Sequence, residues 1–470
     1  MRASQRRSTK RLTTMVAQFI RALRYPEIPD RIRESLGQSI TDTVGCGLLG
    51  SSTAYSRLVS GYVGEWKSAG ETSVWGTGLK ASAPFAAMAN SAACHAWDFD
   101  DTVLPAILHP GSVAVPTAFA IAERQRAPIT GKDLITAIAA GYEVGNVIGS
   151  ALGGKRFAAD GFYVSVPTIF VAVATAAKLM KLSEEQTVRA LGLAATQAAG
   201  LYSATLAKRF NSPKAVLGGI FAADLALRGL ESSTDAIEAE YSGLLRTFSR
   251  SPAPEVIPRD LGKFNFEIYH KYYPCIRSNH PTVDNIRLML KQHPDIRAKS
   301  IGKIISHVDQ LTIDYTFKTT SGGADGVNTP GNALISLPYC VAAMVIDGEL
   351  TVRQFTTEQV RRSSVQQLMK RIELVADRSI DRLPATQRYR CRTEIHLKTG
   401  RVIERSLAGP KGDPNNRLTR DEMHAKFVSN ASVAVPKARA VQLFDLLDKL
   451  DESVNTGSIV KLMRGRIVND

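Results

Sequence analysis

Between Ile28 and Gly229 the chain repeats one pattern: apolar residues three and four apart, with Ala and Gly between them. That spacing gathers the apolar residues on one face of an α-helix, and small residues there let two helix backbones approach closely. In "IPDRIRESLGQSITDTVGCGLLG" the stripe runs through Ile32, Leu36, Ile40, Val44 and Leu48, with Asp30 expected as the N-cap after Pro29. "SAPFAAMANSAACHAWDF" predicts a small-residue helix from Ser82 to Phe99. "TGKDLITAIAAGYEVGNVIG" opens on Thr-Gly and carries Leu134, Ile138 and Val144 along one side. "LSEEQTVRALGLAATQAAGL" starts with a capping box, Ser183 and Gln186. "PKAVLGGIFAADLALRG" ends in a basic turn and a Gly stop, Arg228-Gly229. Helices striped in this way must bury their stripes on one another, so this half predicts a packed helical domain. The run Val164 to Met180 is nearly all apolar, but Pro167, Lys178 and its Ala and Thr content fit a buried core helix better than a membrane span.

The pattern changes after Phe266. "KIISHVDQLTIDYTF" contains alternating stretches such as Ile304, Ser306 and Val308, and "SVQQLMKRIELVAD" predicts a helix. "RYRCRTEIHLKTGRVIERS" alternates with period two on both sides of Thr399-Gly400 and predicts a β-hairpin. "LTRDEMHAKFVSN", with Thr419 and Glu422, and "PKARAVQLFDLLDKL" return to helix. The expected fold is mainly α. A large all-helical domain spans 1–266, and a smaller α+β lid domain spans 267–410. C-terminal helices over 411–470 pack back on the first domain.

With 44% hydrophobic and 22% charged residues in 470, the composition is that of an ordinary globular chain. The net charge is +15, which suits nucleic acid, anionic membranes or small polyanions. Seven Lys/Arg and no acid lie between Met1 and Pro26, so the remaining eight excess charges are spread over the body. No recognition helix, zinc finger or aromatic-basic RNA-binding pattern accompanies them, so neither nucleic acid nor a membrane is an expected partner. The opening is Arg- and Ser-rich, like an organelle transit peptide. It is read here as a basic arm over 1–14, with Met15 an alternative start, and the expected location is cytoplasmic, or mitochondrial if the arm is a transit peptide. No secretory signal is visible. Cys46, Cys94, Cys275, Cys340 and Cys391 are few and far apart, which fits a reducing compartment, and no CxxC suggests zinc or an iron–sulfur cluster.

The chemistry gathers in "CHAWDFDDTVLPAILHPG". Asp98, Asp100 and Asp101 fall at the C-terminal end of the expected helix, where the macrodipole disfavours anions. Asp98 and Thr102 would share a face if the turn continued, and His109 follows one short loop later. Acids where local physics disfavours them suggest a site or a structural network. The carboxylates alone would suit Mg²⁺, but no phosphate loop or second acid cluster supports a metal. Two basic segments complement them. "LAKRFNSPKA" places Lys208 and Arg209 just before a helix, and "YHKYYPCIRSNHPTVD" places His270, Lys271, Arg277 and His280 at the junction of the two halves, a preferred position for ligand sites.

Six segments in order, "AWDFDDT…HPGSVAVPTAFAIAE", "GYEVG", "GFYVSVPTIFVAVATAAKLMKLSEEQTVRALGLAATQAAGL", "KRFNSPKAVLGGIFAADLALRG", "KYYPCIRSNHPTVD" and "SLPYCVAAMVIDG", resemble the MmgE/PrpD family of 2-methylcitrate dehydratases, cis-aconitate decarboxylases and an iminodisuccinate epimerase. The resemblance covers nearly the whole chain after Leu12. It implies a helical domain with a lid, a site in the cleft between them, a homodimer, and no metal or organic cofactor. Asp98, Thr102 and His109 match the family's acid-rich loop. Lys208 matches its basic residue before a helix, Lys271 its hinge lysine, His280 a nearby histidine and Tyr339 a lid tyrosine. Three positions depart from the family pattern: Tyr163 and Asn211 stand where relatives carry His, and Ile276 where decarboxylase-like members carry His. The last departure counts against cis-aconitate decarboxylation.

The chemistry implied is proton transfer at a carbon next to a carboxylate, which requires charge neutralisation and a positioned base. Lys208, Arg209 and Lys271 are expected to bind substrate carboxylates, and Thr102, Arg277 and His280 are expected to be further substrate-binding residues. Lys271, with a pKa lowered by neighbouring positive charge, and His109 are expected to move protons. Asp98 and Thr102 would orient His109 or hold a hydroxyl, and Tyr163 and Tyr339 would donate hydrogen bonds. The leading expectation is a dehydratase-type lyase acting on a small di- or tricarboxylate. An epimerase, a cis-aconitate-type decarboxylase and a non-catalytic polyanion-binding protein are the alternatives.

Overall fold

The small-residue stripes become helix contacts. The computed structural model describes residues 11–154, 157, 165–201, 208–319 and 326–465. The fold is mainly helical, and the chain divides into two units. One comprises the chain up to Ala96, Asp100–Phe266 and the chain from Glu422. The other comprises Trp97–Phe99 and Glu267–Asp421, so residues 411–421 cluster with the α+β unit rather than with the C-terminal helices.

In the first unit, long helices span Asp30–Gly50, Ala83–Cys94, Gly111–Arg124, Gly131–Ala151, Ser165–Leu179 and Lys208–Leu227. The Gly131–Ala151 helix starts where Thr130 Oγ1 accepts from Asp133 N and the Asp133 carboxylate accepts from Thr130 in return. It is long and apolar enough to cross a membrane by length and composition, yet 94% of that window is buried inside the protein. A methyl group at Gly141 or Gly145 would run into Val171 of the Ser165–Leu179 helix, so the close approach there requires glycine. The apolar run expected to be a buried core helix is that second helix, with Val166, Phe170 and Ala174 fully buried. Ser183 and Gln186 form the expected capping box. A two-residue ladder, Thr72–Ser73 with Lys80–Ala81, interrupts the helices.

Four local expectations are corrected. Pro29, not Asp30, precedes the first long helix, and Asp30 is its first residue. The small-residue helix ends at Cys94 rather than Phe99. Residues Trp97–Phe99 leave for the other unit, where Trp97 packs on the apolar core, and Asp98 takes a left-handed conformation at φ +49°. Lys208 and Arg209 do not precede a helix but begin one, which carries Pro213 inside it. Pro213 has no N–H for the Arg209 carbonyl, and the Tyr55 hydroxyl donates to that carbonyl instead, at 3.0 Å. The fourth correction lies in the second unit, where "SVQQLMKRIELVAD" is a helix only over Ser363–Met369 and then a strand, Ile372–Ala376.

That strand runs parallel to Ile301–Val308, whose other edge pairs antiparallel with Arg390–Leu397, which in turn pairs with Val402–Ala408. Ile372 and Leu374 pack on the core, and this burial outweighs the helical pattern of the preceding turn. Gly400, at φ +90°, makes the predicted hairpin turn. The core beneath the sheet is built on the Leu337–Asp347 helix, which Gly348 ends at φ +72°. All five cysteines are buried and free.

Candidate active site

Because the small-residue helix stops at Cys94, the chain can fold back on itself over the next six residues. His95 Nδ1 then lies 2.9 and 3.0 Å from the two carboxylate oxygens of Asp100, which is fully buried. His109 comes in from the end of the loop. Its ring centroid lies 4.9 Å from that of His95, and its Nδ1 lies 3.8 Å from Asp100 Oδ2. The same Nδ1 is 2.8 Å from the Asp101 carbonyl oxygen, which can only accept. Nδ1 therefore carries a proton, and in the neutral ring Nε2 is the acceptor.

Asp101 anchors this arrangement. Its carboxylate accepts from the Tyr142 hydroxyl at 2.6 Å and from Gly111 N at 3.0 Å. Burial pushes its pKa up to about 7, the nearby Asp100 charge adds to the rise, and the bonds from Tyr142 and Gly111 oppose it. The "HPG" glycine is explained by the same contacts. A Cβ on Gly111 would lie 2.6 Å from both Asp101 Oδ1 and Thr43 Oγ1. Gly111→Ala is expected to cost about 1–3 kcal/mol, the scale of overpacking a tight core site, read as a lower melting temperature. Thr102 is buried at the start of the short strand Thr102–Leu104, and its Oγ1 has no hydrogen-bond partner. It shares no helical face with Asp98, because the helix has already ended.

In the α+β unit, Lys271 is fully buried. Its ammonium donates to the Asp98 carbonyl at 2.6 Å and to the Asp98 carboxylate. The carbonyl oxygen and Oδ1 of Asp98 thus meet one ammonium. The neighbour of Lys271 is thus a carboxylate, not the positive charge expected from the sequence. Arg277 is also an internal residue. Its guanidinium lies between the rings of Tyr269 and Tyr389, 5.3 and 4.8 Å from their centroids, and pairs with Asp413. Burial pulls its pKa down to about 10. Tyr339, expected to donate to substrate, gives its hydroxyl to the Gln354 carbonyl and packs against Phe355. His280 is fully buried at the start of the His280–Gln292 helix, edge-on to Tyr273. Arg209 is half-buried in the first turn of its helix. Tyr163 and the Lys208 side chain lie outside the described residues.

Residues 14–257 match the MmgE/PrpD N-terminal domain, and residues 273–451 match the MmgE/PrpD C-terminal domain. The chain belongs to the MmgE/PrpD family. It is 26% identical to a cis-aconitate decarboxylase-like protein of Aspergillus oryzae, over 97% of this chain and 98% of that protein. It is likewise 26% identical to the human cis-aconitate decarboxylase, over 97% and 95%. With the cis-aconitate decarboxylase of Aspergillus terreus the identity is 27%, over 96% of both chains.

In this MmgE/PrpD chain the sequence pointed to His109, Asp98 and Lys271 but not to His95 or Tyr142. On a helix continuing to Phe99, His95 and a residue five positions later face different ways, so the pairing is invisible until the helix is known to stop. Tyr142 lies in the family-like "GYEVG" segment, whose order along the chain does not show that it meets Asp101. The Glu143 beside it is buried and accepts from Gly262 N at 2.6 Å and Phe264 N at 3.2 Å. Burial pushes Glu143 up to about 7 as well. Both acids bind their protons more tightly in the folded chain than in the unfolded one. Their contributions to stability are therefore full at pH below about 4 and lost as pH rises to about 7. Asp101→Asn and Glu143→Gln are each expected to flatten the decline of stability across that window, measured by urea unfolding at a series of pH values.

Proposed function

We propose that this protein is a lyase acting on a small tricarboxylate by moving a proton at a carbon next to a carboxylate. The observation that carries the proposal is His109, whose Nδ1 donates to the Asp101 carbonyl, which makes Nε2 the ring nitrogen that can accept a proton. Within the α+β unit, the Lys271–Asp98 pair holds a buried ammonium, a cation of the kind that offsets the charge of a carboxylate. In decarboxylation, the bond from carbon to a carboxylate breaks, carbon dioxide leaves, and carbon takes up one proton. In dehydration, one carbon loses a proton and its neighbour loses hydroxide, and water leaves. The same groups serve both.

The named activity of the relatives, which align over 95–98% of their length, favours cis-aconitate decarboxylation as the reaction. Ile276, at a position where decarboxylase-like members carry His, favours the second reading, dehydration of a 2-methylcitrate-type hydroxy acid. Proton NMR in deuterium oxide with cis-aconitate, 2-methylcitrate, citrate and substituted succinates separates them. Loss of the cis-aconitate vinyl signal, with a new terminal methylene and carbon dioxide, is expected. A new vinyl signal from 2-methylcitrate would select dehydration. Deuterium exchange on an intact skeleton would mean an epimerase, and silence from folded protein would overturn the lyase reading. A homodimer belongs to the same proposal, and light scattering after size exclusion tests it.

A further inference from the structure

The carboxylates of the acid-rich loop are not a hard-cation site, because the structure adds two imidazoles to them. His95, Asp100 and His109 each offer a donor atom, and these atoms lie within 4.8 Å of one another. The separations are 2.9 Å from His95 Nδ1 to Asp100 Oδ1 and 3.8 Å from His109 Nδ1 to Asp100 Oδ2. Two donors each about 2.0–2.1 Å from a tetrahedral ion stand roughly 3.3 Å apart, so shifts of a few tenths of an ångström would close this set around one ion. The Asp101 carbonyl oxygen, 2.8 Å from His109 Nδ1, is a fourth donor beside that ring. Two nitrogens and two oxygens suit Zn²⁺ and its neighbours in the first transition row, not Mg²⁺. Asp100 is fully buried and His95 nearly so, while the His109 side chain retains 14% exposure, which gives an ion a way in.

We propose that His95, Asp100 and His109 form a binding site for a divalent transition-metal ion of the Zn²⁺ class, and that the bound ion inhibits the enzyme. A metal on Nδ1 of a neutral imidazole moves the ring's proton to Nε2. His109 would then carry its proton on Nε2 instead of Nδ1, and Nε2 could no longer accept one. The inhibition rests on the proton-transfer role proposed for His109, whereas the binding does not.

Calorimetric titration of ZnCl₂ into the full-length protein, freed of metal with EDTA, tests the binding. One ion per chain is expected, at least tenfold weaker in His95→Asn and Asp100→Asn, with MgCl₂ giving no heat. Equal affinity in wild type and both variants would place the ion elsewhere and overturn the site, as would no binding to wild type. Because Asp100 is buried and its variant can fail to fold, CoCl₂ is added to wild type as a second measurement. The intense visible bands of four-coordinate cobalt are expected, and the weak spectrum of an octahedral aquo ion would overturn the site. Turnover is then followed with and without ZnCl₂. Zinc bound at this site without loss of turnover would overturn the inhibition. Metal-free protein inactive on every substrate would remove the lyase reading and leave the binding result standing.

Discussion

The Lys271→Met variant is expected to lose turnover and several kcal/mol of stability together. Lys271 is fully buried, and its ammonium is held by the carbonyl and carboxylate of Asp98, itself only 6% exposed. Removing one partner of a buried pair leaves an uncompensated charge in the interior, at a cost of about 3–5 kcal/mol. The companion variant Asp98→Asn/Lys271→Met removes the orphaned charge and is expected to recover most of the stability but none of the turnover. Urea unfolding of both variants and of Asp98→Asn closes a double-mutant cycle. A Lys271→Met protein as stable as wild type would show that the pair is not maintained in solution.

His109→Asn is expected to separate activity from stability. Loss of a positioned general acid or base lowers turnover by about 10²–10⁴-fold. The side chain is partly exposed at 14% and its Nδ1 donates to the Asp101 backbone carbonyl, so the melting temperature is expected to change little. Turnover is read by the same NMR assay, with deuterium incorporation as the sensitive signal. Unchanged turnover in a folded His109→Asn protein would remove Nε2 from the reaction and move the proton-transfer role to the Lys271–Asp98 pair.

Most of the helical unit was legible because its signals are local. The Ser183–Gln186 capping box, the Gly229 stop and the period of the apolar stripes each depend on residues within one or two turns of chain. The hairpin around Gly400 was legible for the same reason. The misreadings lie where a distant contact overrode a local pattern. The stretch after Cys94 carries helix-forming residues, but Trp97 is drawn to the core of the other unit. Ile372–Ala376 continues a helical pattern, but its place beside Ile301–Val308 is set by the sheet. Pro213 looks like a helix start, yet Tyr55, more than 150 residues earlier, satisfies the carbonyl that the proline leaves open.

The sequence by itself determined the family, the helical character of the larger unit, and the residue types available for chemistry: an acid-rich loop, His109 and a lysine after the domain junction. Those follow from composition, period and order along the chain. Only the tertiary structure decided which groups meet. It paired His95 with Asp100, gave Asp98 to Lys271, and turned His109 so that Nδ1 faces a carbonyl. It also withdrew Arg277 and Tyr339 into internal contacts with Asp413 and Gln354. It buried the Asp42–Lys426 pair between helices nearly four hundred residues apart. The physical reason is the same in each case. A charged or polar group taken out of water must find a partner, and burial, which is settled only when the elements pack, decides which partner is within reach.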